Sequence, residues 1–257
     1  MEEGKEGYMS QRIGREFLEK TKYKYLHVSD QMQGVSPPPL EAPVDKEGKK
    51  ISLPDPGSIS LPDIHLRVAM ERRESIRQYS GQYLALEELS YMLWCTQGVK
   101  EVMPPYQTLR TVPSAGARHA LETYLLINRI CGVDRGLYRF MAVDHMLREI
   151  DTDSMLTLRV TDACLGQSCV KTSAVTFIWV AVHYRMTWRY SDRGYRYLFI
   201  DAGHVCQNLY LSAEAIGCSV CAIGAFSDDD MNHLLRLDGD SQFVIYLATV
   251  GRKQHGG

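Results

Sequence analysis

Ala174-Val175-Thr176-Phe177-Ile178-Trp179-Val180-Ala181-Val182-His183 is the stretch on which the reading of this chain turns. Its residues are apolar at odd and even positions alike, and successive side chains of a strand point to opposite faces. A strand that is apolar on both faces is covered on both faces, so the segment is expected at the centre of a sheet flanked by helices. Its nearly apolar core, Ala174 to Val182, falls far short of the roughly 20 residues a membrane helix needs. A membrane protein is not expected.

Elements alternate on either side of that strand. C-terminal to it, Tyr195 to Ile216 predicts a long helix, with Val205, Leu209, Ala213 and Ile216 at helical spacing and Gly217 closing it. A short strand follows through Val220, Cys221, Ala222 and Ile223, then a helix to Leu237 opened by Ser227-Asp228-Asp229-Asp230, acid at the positive end of its dipole. Phe243 to Val250 is a second buried strand. N-terminal to it, Leu121–Ile130 predicts a strand, Gly136–Ile150 a hairpin turning near Asp144, and Met155–Leu165 a helix. Leu86–Thr96 predicts a helix with Leu89, Met92 and Leu93 inward and Gly98 as its cap, followed by a loop carrying Pro104, Pro105 and Pro113. A further helix, capped by Asp63, runs through Ile64, Val68 and Ala69 to Arg72-Arg73. The fold class is α+β, a central mixed sheet wrapped by helices.

Seven of the ten prolines fall between Pro37 and Pro62. Such a stretch cannot hold a helix and predicts an extended arm over the surface or onto a partner. It follows a short amphipathic piece around Ile13, Phe17 and Leu18. The expected organisation is therefore residues 1–60 as short helix and arm, and residues 61–257 as the folded domain.

Of 257 residues, 45% are hydrophobic and 23% charged, the balance of a globular protein. A net charge of −2 argues against a nucleic-acid groove. The acidic start Met-Glu-Glu-Gly-Lys-Glu is unlike a secretory signal, and seven cysteines without framework spacing fit reduced thiols, so a cytoplasmic protein is expected. Cys218 and Cys221 form a C-x-x-C that reads as a redox pair, half a zinc site, or small core residues. Cys164 and Cys169 have the wrong spacing for the other half, and the Val/Ala/Ile-rich surroundings favour the core reading.

Four short segments are candidates to carry chemistry, against the plain reading of a basic helix end as a solvated, dipole-matched one and of the small-residue loop as an ordinary turn. Arg72-Arg73-Glu74-Ser75-Ile76-Arg77 offers three guanidinium forks and a hydroxyl for an anion and a heterocycle edge. Pro113-Ser114-Ala115-Gly116-Ala117-Arg118-His119 has small residues that let the backbone approach a flat ligand. In Ala222-Ile223-Gly224-Ala225-Phe226, backbone amides sit at a strand-to-helix junction. Val250-Gly251-Arg252-Lys253 puts two cations after a buried strand. No G-x-G-x-x-G or Walker loop is present. Asp201 and His204 share a helical face with Asn208 beyond, too few ligand types for a metal site to be the favoured reading. Trp188-Arg189-Tyr190 with Arg193, Tyr195, Arg196 and Tyr197 reads as a substrate pocket or stacked surface in preference to a nucleic-acid patch.

In this order the segments resemble the FMN-dependent nitroreductase superfamily, and within it the SagB-type dehydrogenases. The resemblance rests on Gly14-Arg-Glu-Phe17, Thr21-Lys-Tyr23, Ile51-Ser-Leu-Pro54, Arg73-Glu-Ser-Ile-Arg77, Pro113-Ser-Ala-Gly116, Asp201-Ala-Gly-His204 through Gln207-Asn208, and Ala222-Ile-Gly224. It implies a nitroreductase-like fold, a homodimer with two FMN molecules at its interface, and a ping-pong hydride cycle. The flavin phosphate, ribityl chain and pyrimidine edge would fall to Arg73, Ser75 and Arg77, with Arg72 alongside. Pro113, Ser114, Ala115 and Gly116 would reach the flavin from the partner chain, Ile223 and Gly224 would face the ring, and Arg252 would close on the phosphate. Azole-forming relatives carry a Lys-Tyr pair, which aligns here on Arg189-Tyr190. Arginine, with a pKa above ~12, is a poor general base, so either azoline oxidation is not expected or Tyr190 would act without a basic partner. The expected function is hydride transfer through FMN between NAD(P)H or another donor and a small-molecule or peptide substrate. The rival is a flavin-binding subunit of a peptide-modifying, azole-forming complex without turnover of its own.

Overall fold

The computed structural model describes residues 6–43, 48–60, 64–103 and 107–254. The expected Asp63 cap, Leu61, Pro62, Pro104 and Pro105 lie outside them. In chain order the elements are α1 (Glu6–Lys20), β1 (Lys50–Ser52), α2 (Leu66–Arg72), α3 (Leu86–Gln97), β2 (Val99–Met103), β3 (Gln107–Arg110), β4 (Leu121–Ile127), β5 (Gly136–Met141) and β6 (Met146–Asp151). They continue as α4 (Leu156–Ala163), α5 (Cys169–Thr172), β7 (Val175–Val182), α6 (His183–Tyr190), α7 (Gly194–Ala215), β8 (Cys218–Ile223), α8 (Asp228–Leu234) and β9 (Gln242–Arg252).

The apolar stretch after Ala174 forms β7, inside a seven-stranded sheet of order β1-β6-β5-β4-β7-β9-β8. Its pleat deals side chains to two cores. Phe177 and Trp179 join Leu125 on the face covered by α3 and α7, where Leu89, Leu93, Val205 and Leu209 are buried. Ile178 and Val180 join Leu126 on the face covered by α4 and α8, with Val160 and Met231. Both faces of β7 are dry, as the sequence demanded.

The expected mixture of strand directions is corrected. All six ladders of the sheet are antiparallel. Among the described residues, parallel pairing is confined to the isolated bridges Ser75–Val220 and Leu84–Ile130. A strand buried on both faces looks parallel in sequence because helices cover both faces of parallel sheets; here helices cover both faces of an antiparallel one. Some elements were not anticipated, among them the short helix α5. The region expected as loop forms the β2–β3 hairpin, and His183, expected at a strand end, opens α6.

The proline-rich arm lies on the sheet. β1 adds to its edge by pairing Ile51 with Leu147 of β6. Upstream, the arm is held by charges inside the protein. Glu122 on β4 is only 4% exposed and is bridged by Arg139 of β5 at 2.8 Å and Arg185 of α6 at 2.5 Å. Glu122 also accepts from the Ala42 N–H at 2.8 Å. Arg139 donates to the Ala42 carbonyl at 2.8 Å, and Arg185 donates to the Pro39 carbonyl at 3.0 Å. Burial alone would push the Glu122 carboxyl up, but Arg185 and Arg139 reverse this and hold it below the ordinary range. Breaking a buried ion pair by removing one partner costs about 3–5 kcal/mol. We expect Glu122→Ala to lose that much stability in denaturant unfolding and to expose the arm near Pro39 to proteolysis; an unchanged midpoint would show that the triad holds nothing.

Candidate functional site

Helix α7 organises the expected site residues into two groups. The first lies along β8. The main chain of Ser75 bridges Val220, and the Ile76 N–H donates to the Val220 carbonyl at 3.1 Å. This lays the Arg73–Arg77 segment beside the edge strand. The Ser75 hydroxyl meets the Tyr210 hydroxyl at 2.9 Å, and that hydroxyl accepts from the Ala222 N–H at 2.9 Å. Arg73 sits 5.6 Å over the Tyr210 ring. Ile223 ends β8 buried, and Gly224 emerges into solvent. Arg72 and Arg77 are exposed, and among the described residues no carboxylate pairs with Arg72, Arg73 or Arg77. Uncompensated guanidiniums beside a hydroxyl and a strand end suit a polyanionic ligand with a polar ring.

Arg252 stands apart from this group. Its guanidinium pairs with Glu88 and donates to the Ile216 carbonyl, and it lies 3.7 Å from the Cys218 sulfur. Lys253 is likewise held, at 3.0 Å, by Glu214. The main chains of the two cation clusters do converge, since Ser80 N–H donates to the Arg252 carbonyl at 3.1 Å. The Arg252 side chain nevertheless braces α3 and the end of α7. Pleating also separates the C-x-x-C. Residues three apart on a strand face opposite sides, and Cys218 packs in the α7-side core with its thiol pushed up to about 12 by burial. Cys221 instead shares a thiol hydrogen bond with Cys169, which brings Cys169 down to about 6 and pushes Cys221 up. The motif is not a redox pair.

The second group gathers at the other end of α7. The Ala115 N–H and the Ser114 hydroxyl both reach the Asp201 carboxylate, the former at 3.3 Å to Oδ1, and the His119 N–H donates to Ser114 Oγ at 2.9 Å. Gly116 has φ +59°, and a Cβ there would stand 2.5 Å from the Tyr190 hydroxyl and 2.9 Å from Arg189 Nε. Only glycine lets the loop lie against these two side chains. Tyr190 is further fixed edge-on to Tyr197, ring centroids 4.9 Å apart. Tyr197 accepts from Arg193 Nε at 2.9 Å and meets the Tyr23 hydroxyl at 3.1 Å. Arg193 and Arg196 both bond Thr21 of the N-terminal segment, at 3.0 and 2.6 Å. The arginine–tyrosine cluster is thus partly an anchor for residues ahead of the arm. Asp201 turns to the Ser114 loop while Asn208 donates to the Cys95 carbonyl at 2.8 Å, so that trio does not converge.

The two groups are separated by the helix that holds them. Asp201 and Tyr210 are nine residues apart on α7, roughly 13.5 Å along the axis and half a turn out of phase. One chain therefore presents two half-sites on opposite sides of one helix. Sequence reasoning missed Tyr210, which ties the first half together. It sits on the buried stripe of α7, and its polar tip cannot be told from a core aromatic by spacing.

Residues 70–252 match the nitroreductase family, and the chain belongs to it. It is 33% identical over 204 residues to a Methanocaldococcus jannaschii protein that bears the nitroreductase name, covering 79% of this chain and 96% of that one. It is 30% identical over 150 residues to the trifolitoxin-processing protein TfxB of Rhizobium leguminosarum bv. trifolii, covering 57% of this chain and 40% of that protein. Among solved structures, an Anabaena variabilis protein of the nitroreductase name superposes with a TM-score of 0.66 at 29% identity, over 80% of this chain and 42% of the other. The E. coli microcin synthetase McbBCD complex with truncated pro-MccB17 bound shares the fold at a TM-score of 0.60 and 19% identity, over 82% of this chain and 79% of that one. Members of this family typically bind flavin. No helix among the described residues is long and apolar enough to cross a membrane.

Asp201 provides a test of how the second half-site is held. Its carboxyl is pushed up by burial, against the opposing hydrogen bonds from Ser114 and Ala115, and its Oδ2 is buried without a partner among the described residues. A carboxyl whose folded pKa is raised contributes stability at low pH that is lost as pH rises through that pKa. Asp201→Asn, which keeps an acceptor and sheds the charge, is expected to match or exceed wild-type stability at pH 7, with its advantage shrinking toward pH 4. Asp201→Ala orphans two donors and should lose about 1–3 kcal/mol. Thermal melts across that pH range check both signs.

Proposed function

We propose that this protein is a homodimeric FMN oxidoreductase of the SagB type, moving hydride between a donor such as NAD(P)H and an organic or peptide substrate. The observation that carries the reading is the pair of half-sites on opposite sides of α7. One offers uncompensated cations, and the other offers a glycine-cradled loop with a tyrosine and an arginine against it. Neither half encloses a flat ligand alone, whereas a two-fold axis would bring the loop of one chain to the Arg73–Arg77 segment of the other. Exposed apolar side chains are available for such an interface, with Phe199 58% and Ile200 52% exposed on α7 and Leu66 and Met70 exposed on α2. Obligate dimers commonly bury more than ~2,000 Å² of such surface.

The residues of the first half-site fit FMN. Arg73 and Arg77 have the charge for a phosphate, Ser75 and its partner Tyr210 offer hydroxyls, and the strand end at Ile223–Gly224 leaves backbone open to a ring edge. Arg252, committed to Glu88, is not counted among them. Bound FMN would supply the two-electron chemistry, and the chain's contribution is binding, orientation and electrostatics. A fixed guanidinium beside the ring would favour its reduced, anionic form. The half-buried Tyr190 hydroxyl, held against Gly116, is placed to hold or deliver a proton at the substrate, while Arg189 stays charged.

A second reading is favoured by one finding, the similarity to a protein named for trifolitoxin processing: a flavin-binding subunit of a peptide-modifying complex without independent turnover. Stopped-flow mixing with NADH, NADPH and dithionite separates the two. Bleaching by dithionite alone, with no electron passing to any acceptor, selects the second reading. Light scattering should give twice the 29.2 kDa chain mass, and a stable flavin-loaded monomer would refute the shared site. Losing a charge-assisted bond costs ~1.5–3 kcal/mol, so Arg77→Ala should weaken FMN affinity at least tenfold. Arg189→Ala should retain the flavin and change the oxidative half-reaction. Equal flavin retention in Arg77→Ala and wild type would remove Arg77 from the cofactor site.

A further inference from the structure

We propose that the cleft between the end of β4, the start of α4 and the end of α5 is a binding site for a phosphate-bearing ligand, held by Arg129, Arg135 and Lys171. The inference stands apart from the flavin reading, because none of these residues belongs to either half-site.

The cleft has a volume of about 390 Å³, within the roughly 300–1,000 Å³ of small-ligand sites. Its three cations come from separate segments: Arg129 follows β4, Arg135 precedes β5 and Lys171 lies on α5. Hydrogen bonds fix them to one frame. Arg129 Nη2 donates to the Ser173 carbonyl at 2.9 Å and to the Thr172 carbonyl, closing on the residues just after Lys171. Arg135 Nε donates at 3.1 Å to the carbonyl of Asn128, the residue before Arg129. Asn128 is itself 4% exposed and ties the walls together. Its amide donates to the Val170 and Ser173 carbonyls at 3.0 and 3.2 Å on the α5 side. Its Oδ1 accepts from the Thr157 hydroxyl of α4 at 2.7 Å. The cleft is therefore a preformed part of the fold.

No acid neutralises this cluster. Arg129 and Arg135 bond neutral carbonyls, and among the described residues no carboxylate pairs with either of them or with Lys171. The acids of the surrounding segments are committed. Asp134 faces Lys49 at 3.7 Å and Asp151 faces Arg236 at 3.4 Å. Asp153, which lines the cleft, pairs with Arg159 at 2.9 Å and accepts from the Met155 N–H at 2.9 Å. The positive end of the α4 dipole adds to the cations, since Leu156, Thr157 and Leu158 of its first turn line the same space. Burial, and after it the Arg135 charge, lowers the Arg129 pKa, with Tyr83 opposing; a bound anion offsets that cost. One guanidinium fork already satisfies a planar carboxylate. Three cations from separate segments, with the Ser154 hydroxyl beside them, suit a tetrahedral group that carries more than one charge.

Calorimetric titration of the protein with sodium pyrophosphate, in the presence of equimolar FMN, tests the site without turnover. Saturable binding with a Kd below about 1 mM is expected, weakening as salt rises, and sodium acetate at the same ionic strength should give none. Arg135 and Lys171 are exposed, so their replacement leaves the core intact. Arg135→Gln and Lys171→Gln should each weaken pyrophosphate about threefold, and the double variant about tenfold. Lys20→Gln on α1, the same change of charge outside the cleft, should leave binding as in wild type, and so should Arg77→Gln. Absence of saturable binding overturns the proposal, as does acetate bound as tightly as pyrophosphate. Undiminished binding in the double variant overturns it too. An equal loss in Lys20→Gln would reduce the effect to net charge, and a loss confined to Arg77→Gln would assign the anion to the first half-site; either result refutes the cleft. A parallel titration with ADP identifies the source of the phosphate. Binding at least as tight as that of pyrophosphate supports a nucleotide in this cleft, and much weaker binding supports a free polyphosphate there.

Discussion

The Glu122 carboxylate, sealed between Arg139 and Arg185, is the interaction on which much else depends. It belongs to β4, and its partners come from β5 and α6, so one buried anion ties two strands to the helix that carries Arg189 and Tyr190. The same three side chains catch the arm at Pro39 and Ala42. Taking three charges out of water is expensive, and an apolar trio of equal volume would often be as stable. What the ionic version adds is direction. Carboxylate and guanidinium oxygens and nitrogens meet only in defined geometry, so α6 and the arm are set in register with the sheet, which sliding contacts between apolar surfaces would not do.

Helix α7 supplies the second constraint. Its 22 residues pack against α3, α6, β8 and β9, with Asp201 holding the Ser114 loop near one end and Tyr210 holding the Ser75 segment toward the other. Because the helix is rigid and packs on β-strands buried on both faces, the distance between the two half-sites is not adjustable within a chain. Neighbouring charges follow the same geometry: Arg77 acts on Cys169 and Cys221, whereas Arg252 is drawn to Glu88 and the Ile216 carbonyl beside Cys218.

Much of the fold was legible in the linear chain. The double-sided apolar strand, the long helix closed by Gly217 and the Ser227 cap, whose hydroxyl accepts from the Asp230 N–H at 3.4 Å, each follow from local periodicity or local hydrogen bonding. The segments that carry the family likeness were legible too, because close backbone approach and anion contact demand particular residue types. What could not be read was anything set by pairing between distant segments. Strand direction is invisible to hydrophobic pattern, and the hairpin β2–β3 and helix α6 are amphipathic pieces that only their packing partners disclose.

The candidate site divides along the same line. Composition and spacing by themselves determined which residues could serve it: three arginines around a serine, a small-residue loop ending in glycine, and an Arg-Tyr pair after the central strand. Tertiary structure decided which of them work together. It sent Arg252 to Glu88, split Cys218 from Cys221 across the pleat, and recruited Tyr210. The physical reason is that a guanidinium or a thiol is defined by its nearest charge and its exposure. Both are properties of neighbours that sequence distance hides and that folding alone brings within a few ångströms.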